Sequence, residues 1–173
     1  MTIASAIVAG VTATKDVVVA IQTVQGILDT PRSIVLIFEN KTKFVLEKVS
    51  DSHEHGGFGV TPVHILEGQQ AAVFGSRDTG LFTGNKGQVT YRMRNHSPET
   101  YILMSWENPF VGGNKAGGLA HTVQTVPMPP GLPPMKLPIP SQEFYVIVSC
   151  GGGDEDVEMR YTLMPKVARS ASQ

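Results

Sequence analysis

The sequence has little cysteine, little charge and few aromatic rings. Its one cysteine, Cys150, in 173 residues has no partner, so no disulfide framework staples the chain and an apolar core has to hold it. Charged side chains make up 17% of the chain, against roughly 25% in a typical soluble protein. The 14 Lys and Arg are matched by 15 Asp and Glu, which removes the basic excess that nucleic-acid binders carry and argues against DNA or RNA as a partner. Rings are confined to seven Phe, four Tyr and one Trp. An unbroken apolar run of about 20 residues, the requirement for a constitutive transmembrane helix, is also missing. No basic n-region precedes the apolar start, so no secretory signal is visible and a soluble chain is expected. The length suits one compact domain.

What is present begins with an apolar N-terminal segment. Residues 1–31 hold only Lys15, Asp16 and Asp29 as charges and no aromatic ring. Ile3, Ile7, Val11, Thr14, Val18, Ile21 and Leu28 fall on one helical line, with polar residues mostly off it. Thr12 or Thr14 can cap a helix entered at Lys15 and Asp16, and Pro31 closes it. Val17, Val18 and Val19 are β-branched, so a strand competes at that point.

After Pro31 the pattern becomes short and strand-like. Apolar runs at residues 33–38, 44–46, 63–66, 70–74, 88–93, 101–106, 144–149 and 158–163 are separated by glycine-rich turns. In residues 88–94, Val89, Tyr91 and Met93 alternate with Arg92 and Arg94, the period of a half-buried strand. The expected fold class is all-β: an antiparallel β-sandwich with an N-terminal amphipathic α-helix packed on it. The expected division is a helical segment over 1–30, a sandwich over 31–167 and a flexible tail over 168–173. Residues 127–140 hold seven of the 12 prolines; they are excluded from helices and central strands and should be extended. The interleaved Met128, Leu132, Met135, Leu137 and Ile139 point to burial, a partner or lipid more than to an SH3 groove.

No reaction chemistry is legible. There is no Gly-x-Ser-x-Gly elbow and no phosphate-binding Gly-x-x-x-x-Gly-Lys loop, and Cys150 has no histidine near it in sequence. His53-Glu54-His55 is a partial ligand set, read as a solvated loop, and Asp154-Glu155-Asp156 lacks calcium-loop spacing. The expectation is a non-enzyme with no catalytic residue, no metal and no cofactor. Asn40-Lys41-Thr42 is formally a glycosylation sequon.

The order of these features resembles the actinoporin-like pore-forming proteins. Residues 12–28 look like that family's amphipathic helix, with a hydroxyl-rich entry, Asp16 and an aliphatic run. Residues 70–80 and 83–91 resemble its central region, a small-aliphatic strand, a polar turn and a Thr-Gly step into the next strand. Residues 101–110 look like the strand that ends in a Pro-aromatic step, Pro109-Phe110, at a lipid-facing loop. The family's aromatic residues after that step are replaced by Val111-Gly112-Gly113, and its tyrosine-rich stretch by the proline run. Sphingomyelin recognition therefore does not carry over, and the headgroup stays open.

The resemblance implies a membrane-binding protein that oligomerises on the bilayer, is a monomer or small oligomer in solution, and inserts its helix to form a pore. The implied insertion residues are Ile3, Ile7, Val11, Val18, Ile21 and Leu28. The implied lipid-facing loop residues are His53, Phe82, Ser105, Trp106, Asn108, Pro109 and Phe110. A helix over residues 1–28 would span a hydrocarbon core of about 30 Å at 1.5 Å per residue. The alternative is a non-lytic module on the same sandwich that binds carbohydrate or a lipid headgroup, with a glycan as partner.

Overall fold

The computed structural model describes residues 6–8, 14–80, 83–153 and 157–167. Two sheets face each other and a helix, α1 (Thr14–Leu28), packs on the outside of one of them. The first sheet is ordered β1 (Ala6–Val8), β6 (Ala71–Arg77), β2 (Ile34–Asn40), β12 (Val157–Pro165) and β11 (Phe144–Cys150). Beside β1, the strand β4 (Gly57–Val60) takes the other end of β6. The second sheet runs β10 (Met135–Pro140), β9 (Lys115–Val126), β8 (Thr100–Asn108), β7 (Asn85–Met93), β3 (Leu46–His55) and β5 (Ile65–Leu66). The pairing is antiparallel except between β2 and β12, which run parallel, Val157 opposite Ile34 through Leu163 opposite Asn40.

The consecutive apolar run in β2 has a direct cause. All seven of its residues are buried, because the first sheet is covered on both faces. Ile34, Leu36 and Phe38 enter the core between the sheets, where they meet Phe74, Tyr91, Trp106 and Tyr161. Val35 and Ile37 point the other way, into a second core that α1 closes with Val17, Ala20, Ile21, Val24 and Leu28. The second sheet is covered on one face only, so β7 and β8 alternate buried and half-buried side chains, as the 88–94 pattern predicted.

Several expectations change. The helix begins at Thr14, and Ala6–Val8 is a strand paired with Val73, Ala72 and Ala71 of β6, so Ile7 lies in a strand and outside the helix. Ile3 and Val11 lie outside the described residues. The buried helical face runs through Val17, Ala20, Ile21, Val24 and Leu28; Ile21 and Leu28 lie on the line read from sequence, but Val17 takes the place of Val18, which is 49% exposed, and Val19 is 60% exposed. The single-line reading failed because β-branched residues occupy three consecutive positions, and only the sheet beneath selects which of them is buried. Histidines 53 and 55 sit on β3 and not in a loop. Asn40, the sequon asparagine, is fully buried, with Nδ2 donating to the Phe44 and Glu67 carbonyls, so the folded chain offers it no access.

Residues 135–140 of the proline run are extended, as expected, forming the edge strand β10, whereas residues 129–132 form a turn. Asp154, Glu155, Asp156 and residues 168–173 lie outside the described residues.

Candidate functional site

The three segments that carry the expected lipid-facing residues converge at one end of the sandwich. β3 ends there at His55, β7 begins at Asn85 and β8 ends at Asn108. Lys86 stands opposite both His55 and Glu107, and Asn85 opposite Asn108. Gly84 makes the approach possible: its φ is +72°, and a Cβ would lie 2.7 Å from the Asn108 carbonyl oxygen and 2.9 Å from the Phe110 nitrogen. Arg32, entering β2 from the first sheet, donates to the Pro109 carbonyl at 2.7 Å and lies 4.7 Å over the Phe110 ring.

The side chains do not all face outward. Trp106 is 2% exposed and belongs to the core, and Asn108 is buried as well, so neither presents itself to lipid as expected. Even spacing along β8 explains this: Trp106 and Asn108 share the inward face with Ile102 and Met104, while Ser105 and Glu107 point out. His53 also turns inward, its ring 4.4 Å from Phe58 and 5.5 Å from Trp106. Gly87, opposite Trp106, leaves room for the indole; a Cβ would stand 2.6 Å from Trp106 Cζ2. Phe82 lies outside the described residues. The large apolar side chains exposed at this end, among the described residues, are Phe110 at 41% and Val111 at 84%.

The inward side chains form one hydrogen-bonded network. The Trp106 indole N–H donates to Asn85 Oδ1 at 3.3 Å, which fixes that atom as an acceptor. The Ser76 hydroxyl, 2.8 Å from the same oxygen, then spends its proton there. Ser76 Oγ must accept from His53 Nε2–H at 2.8 Å, which assigns the His53 tautomer. Burial pushes the His53 pKa down, against a smaller opposing pull from Asp51. A Ser–His contact of this kind can belong to a nucleophile, but here the Ser76 hydroxyl is fully buried and engaged by Asn85, so it serves packing. Two amide nitrogens, Asn85 Nδ2 and Asn108 Nδ2, are buried without a partner among the described residues.

Outside this network lies a cleft of about 190 Å³ lined by Glu54, His55, Thr83, Asn85, Lys86, Glu107 and Pro109. It opens beside a groove of about 490 Å³ on the outer face of the second sheet, floored by Ser52, Gln88, Ser105 and Gly117. Charges of alternating sign cross its end: Glu54 pairs with Lys86 at 2.6 Å and Glu107 with Lys115 at 3.3 Å. The Lys86 contact holds the Glu54 carboxyl below its usual range. These four charges cancel. Among the described residues no three His, Cys, Asp or Glu side chains gather where a metal ion could be held.

Architecture defines the class: a two-sheet β-sandwich carrying one helix on the outer face of one sheet. Among solved structures, the chain is similar to the crystal structure of the lipid-binding protein Nakanori, with a TM-score of 0.66 over 86% of this chain and 79% of that one, at 11% identity. That likeness shows the fold. No protein-family model matches the chain, and no curated protein matches it.

Proposed function

We propose that this protein is a non-enzymatic membrane-binding protein that inserts its N-terminal segment into the bilayer and oligomerises into a pore. The observation that carries this reading is the way α1 is attached. It docks through one apolar face onto a floor that includes Gly59 and Gly75, while Val18 and Val19 on its solvent side are also apolar. A helix that keeps two exposed valines beside Gln22 and Thr23 on its solvent side, with Lys15 and Asp16 as its only charges, is suited to exchange a sheet for lipid. The fold likeness to a lipid-binding protein supports the same reading.

No helix among the described residues is long and apolar enough to cross a membrane. At 1.5 Å per residue, α1 covers only about 22 Å of a hydrocarbon core of about 30 Å. Insertion therefore requires β1 to leave its three pairings with β6 and join the helix. Release of both would bare Val35, Ile37, Val60, Ala71 and Val73 on the outer face of the first sheet. That surface needs new cover, which a neighbouring protomer on the membrane would supply. Phe110 and Val111, beside the Arg32 guanidinium, form the lipid-facing tip in this reading.

Dye release from vesicles of varied lipid composition tests it, comparing the intact chain with Val18→Asp and Val19→Asp. Both positions are solvent-exposed, so the folded state tolerates the charge while insertion does not. Release should fall at least about tenfold, because a carboxylate at mid-bilayer costs about 2.5–3.5 kcal/mol on the insertion scale. Undiminished release from folded variants refutes helix insertion. The outer groove of the second sheet, floored by Ser52, Gln88 and Ser105, favours a second reading as a non-lytic glycan-binding module. Glycan-array binding without release from any vesicle would select it.

A further inference from the structure

Four exposed apolar side chains, Leu132, Met135, Leu137 and Ile139, gather on the proline-rich segment that stands in place of the resembled family's tyrosine-rich stretch. β9 and β10 continue past the sandwich as a two-stranded ribbon. Thr122 and Ser141 are still buried, but Gln124 and every residue from 131 to 140 are exposed. The register pairs Met135 with Val126 and Leu137 with Gln124, so Met135, Leu137 and Ile139 line the face that would be core if the opposite sheet reached that far. Leu132 is exposed at the tip, where Pro130 and Gly131 occupy the centre of a turn closed by Leu132 N–H to the Pro129 carbonyl at 3.2 Å. Gly131 has φ +95°, the positive value that a type II turn requires in the position after its proline.

The free edge of the ribbon excludes one kind of occupant. Ser141 N–H donates to the Ala120 carbonyl, which makes that pair hydrogen-bonded and alternates the rest along the register. Ile139, Leu137 and Met135 then bond to β9, while Pro140, Pro138 and Lys136 turn their nitrogens outward. Two of those three have no N–H, so the edge cannot template another strand, from a second copy or from a peptide. The charge pattern points the other way. No acidic residue occurs in residues 108–142, which carry Lys115 and Lys136 alone. An apolar, acid-free ribbon with one lysine, barred from strand addition, is complementary to an anionic bilayer surface, where the Lys136 ammonium can reach the headgroups while its neighbours enter the acyl boundary.

We propose that the β9–β10 ribbon is a docking element for anionic membranes, in addition to the Phe110 tip. This rests on the membrane-binding reading above and assigns the surface that reading leaves open. β9 runs from the Phe110 end to the ribbon over 12 residues, about 40 Å at 3.3 Å per residue. The two surfaces therefore lie at opposite ends of the molecule. Leu28 packs on Gly59 and Gly75, at the Phe110 end, so α1 begins toward the ribbon end. Docking by the ribbon brings the start of α1 toward the lipid.

The test uses the full chain with Cys150→Ser, which removes the exposed thiol, and an environment-sensitive dye on Leu137→Cys or, separately, on Val111→Cys. Each is mixed with phosphatidylcholine vesicles with and without phosphatidylserine, carrying nitroxide-labelled acyl chains. The expected result is quenching and a blue shift at position 137 on phosphatidylserine vesicles, weakened by salt. In the unlabelled chain, Leu137→Asp with Ile139→Asp should lower vesicle partitioning at least about tenfold with thermal unfolding unchanged, since two side chains of several methylenes each are kept from lipid. Quenching at 111 with none at 137 overturns the ribbon proposal and leaves membrane binding standing. No binding to either vesicle overturns both. A dimer in sedimentation that the double variant abolishes assigns the ribbon to a second copy and overturns the lipid assignment.

Discussion

Gly75→Ala is a wedge between helix and sheet that leaves the core between the sheets alone. Gly75 faces α1, whereas Phe74 and Ser76 face the other way. A Cβ at Gly75 would lie 2.8 Å from Leu28 Cδ1, 2.9 Å from Leu28 Cδ2 and 2.9 Å from Val24 Cγ1, inside van der Waals contact with three methyls at once. Leu28 Cδ2 also fills the space over Gly59, 2.6 Å from the place a Cβ there would occupy. Overpacking of this kind costs about 1–3 kcal/mol. Replacing a strand glycine returns about 0.5–1 kcal/mol through the unfolded chain. The net loss of about 0.5–2 kcal/mol corresponds to a fall in Tm of about 1–8 °C for a chain of this size. Hydrogen exchange locates it: amides of α1 should exchange roughly 2- to 30-fold faster, following the same free energy, while those of β7 and β8 keep their protection in local opening. If helix release limits insertion, dye release should accelerate in step. A higher Tm with unchanged α1 exchange would refute the reasoning, since it would mean that Leu28 and Val24 yield without the helix lifting.

Two further perturbations test other parts of the structure. The Glu47 carboxylate accepts from Arg94 at 2.9 Å and Arg92 at 2.8 Å; Arg94 first, then Arg92, lower its pKa from 4.5 to about 2. A carboxylate depressed on folding stabilises fully above its unfolded pKa, so this contribution should fade as pH drops from 4.5 through 2. Glu47→Gln should flatten that limb of a urea-midpoint titration, and an unchanged limb would show that other carboxylates set it. Asn85→Ala strips the acceptor from the Trp106 indole, whereas the Ser76 hydroxyl can turn to the Gly57 carbonyl at 3.3 Å; the one orphaned donor costs about 1–3 kcal/mol. The expected outcome is a loss of about 1–3 kcal/mol in chemical denaturation with an altered near-ultraviolet signal from the one tryptophan. Asn108→Ala, whose Nδ2 has no partner among the described residues, should cost less.

Much of the sandwich is legible in the sequence because its strands obey simple periods. β7 alternates, β2 is apolar throughout, and both patterns follow from how many faces of each sheet are covered. β3 and β9 escape that reading for a physical reason. The β3 sequence is mostly polar because its outer face meets water, where Glu47 binds Arg92 and Arg94. β9 contains Gly117 and Gly118 because neighbouring side chains fill the space: Ser105 Oγ would be 2.8 Å from a Cβ on Gly117, and Val146 and Val148 2.7 Å from one on Gly118. Glycine and polar residues read as turns until the neighbouring strands are in place. The same holds for the candidate site. Residues 53, 105–106 and 108–110 were recognisable as segments that meet, but the direction of each side chain depends on strand phase and β-bulges, one of which falls between His53 and His55.

The sequence by itself determined the class: few charges, no disulfide framework, an apolar N-terminal segment with helical spacing, then short strands between turns. Those are properties of composition and local period, which neighbours in the chain already specify. Tertiary structure decided which valine of Val17, Val18 and Val19 is buried, that Ala6–Val8 joins β6 as a strand, and that the lone tryptophan lies in the core. It also decided that the proline run stands clear of the sandwich as an exposed ribbon. Each of these depends on what a distant segment places opposite the residue. The length of the facing sheet determines whether Leu137 and Ile139 are covered, and no local pattern encodes that length.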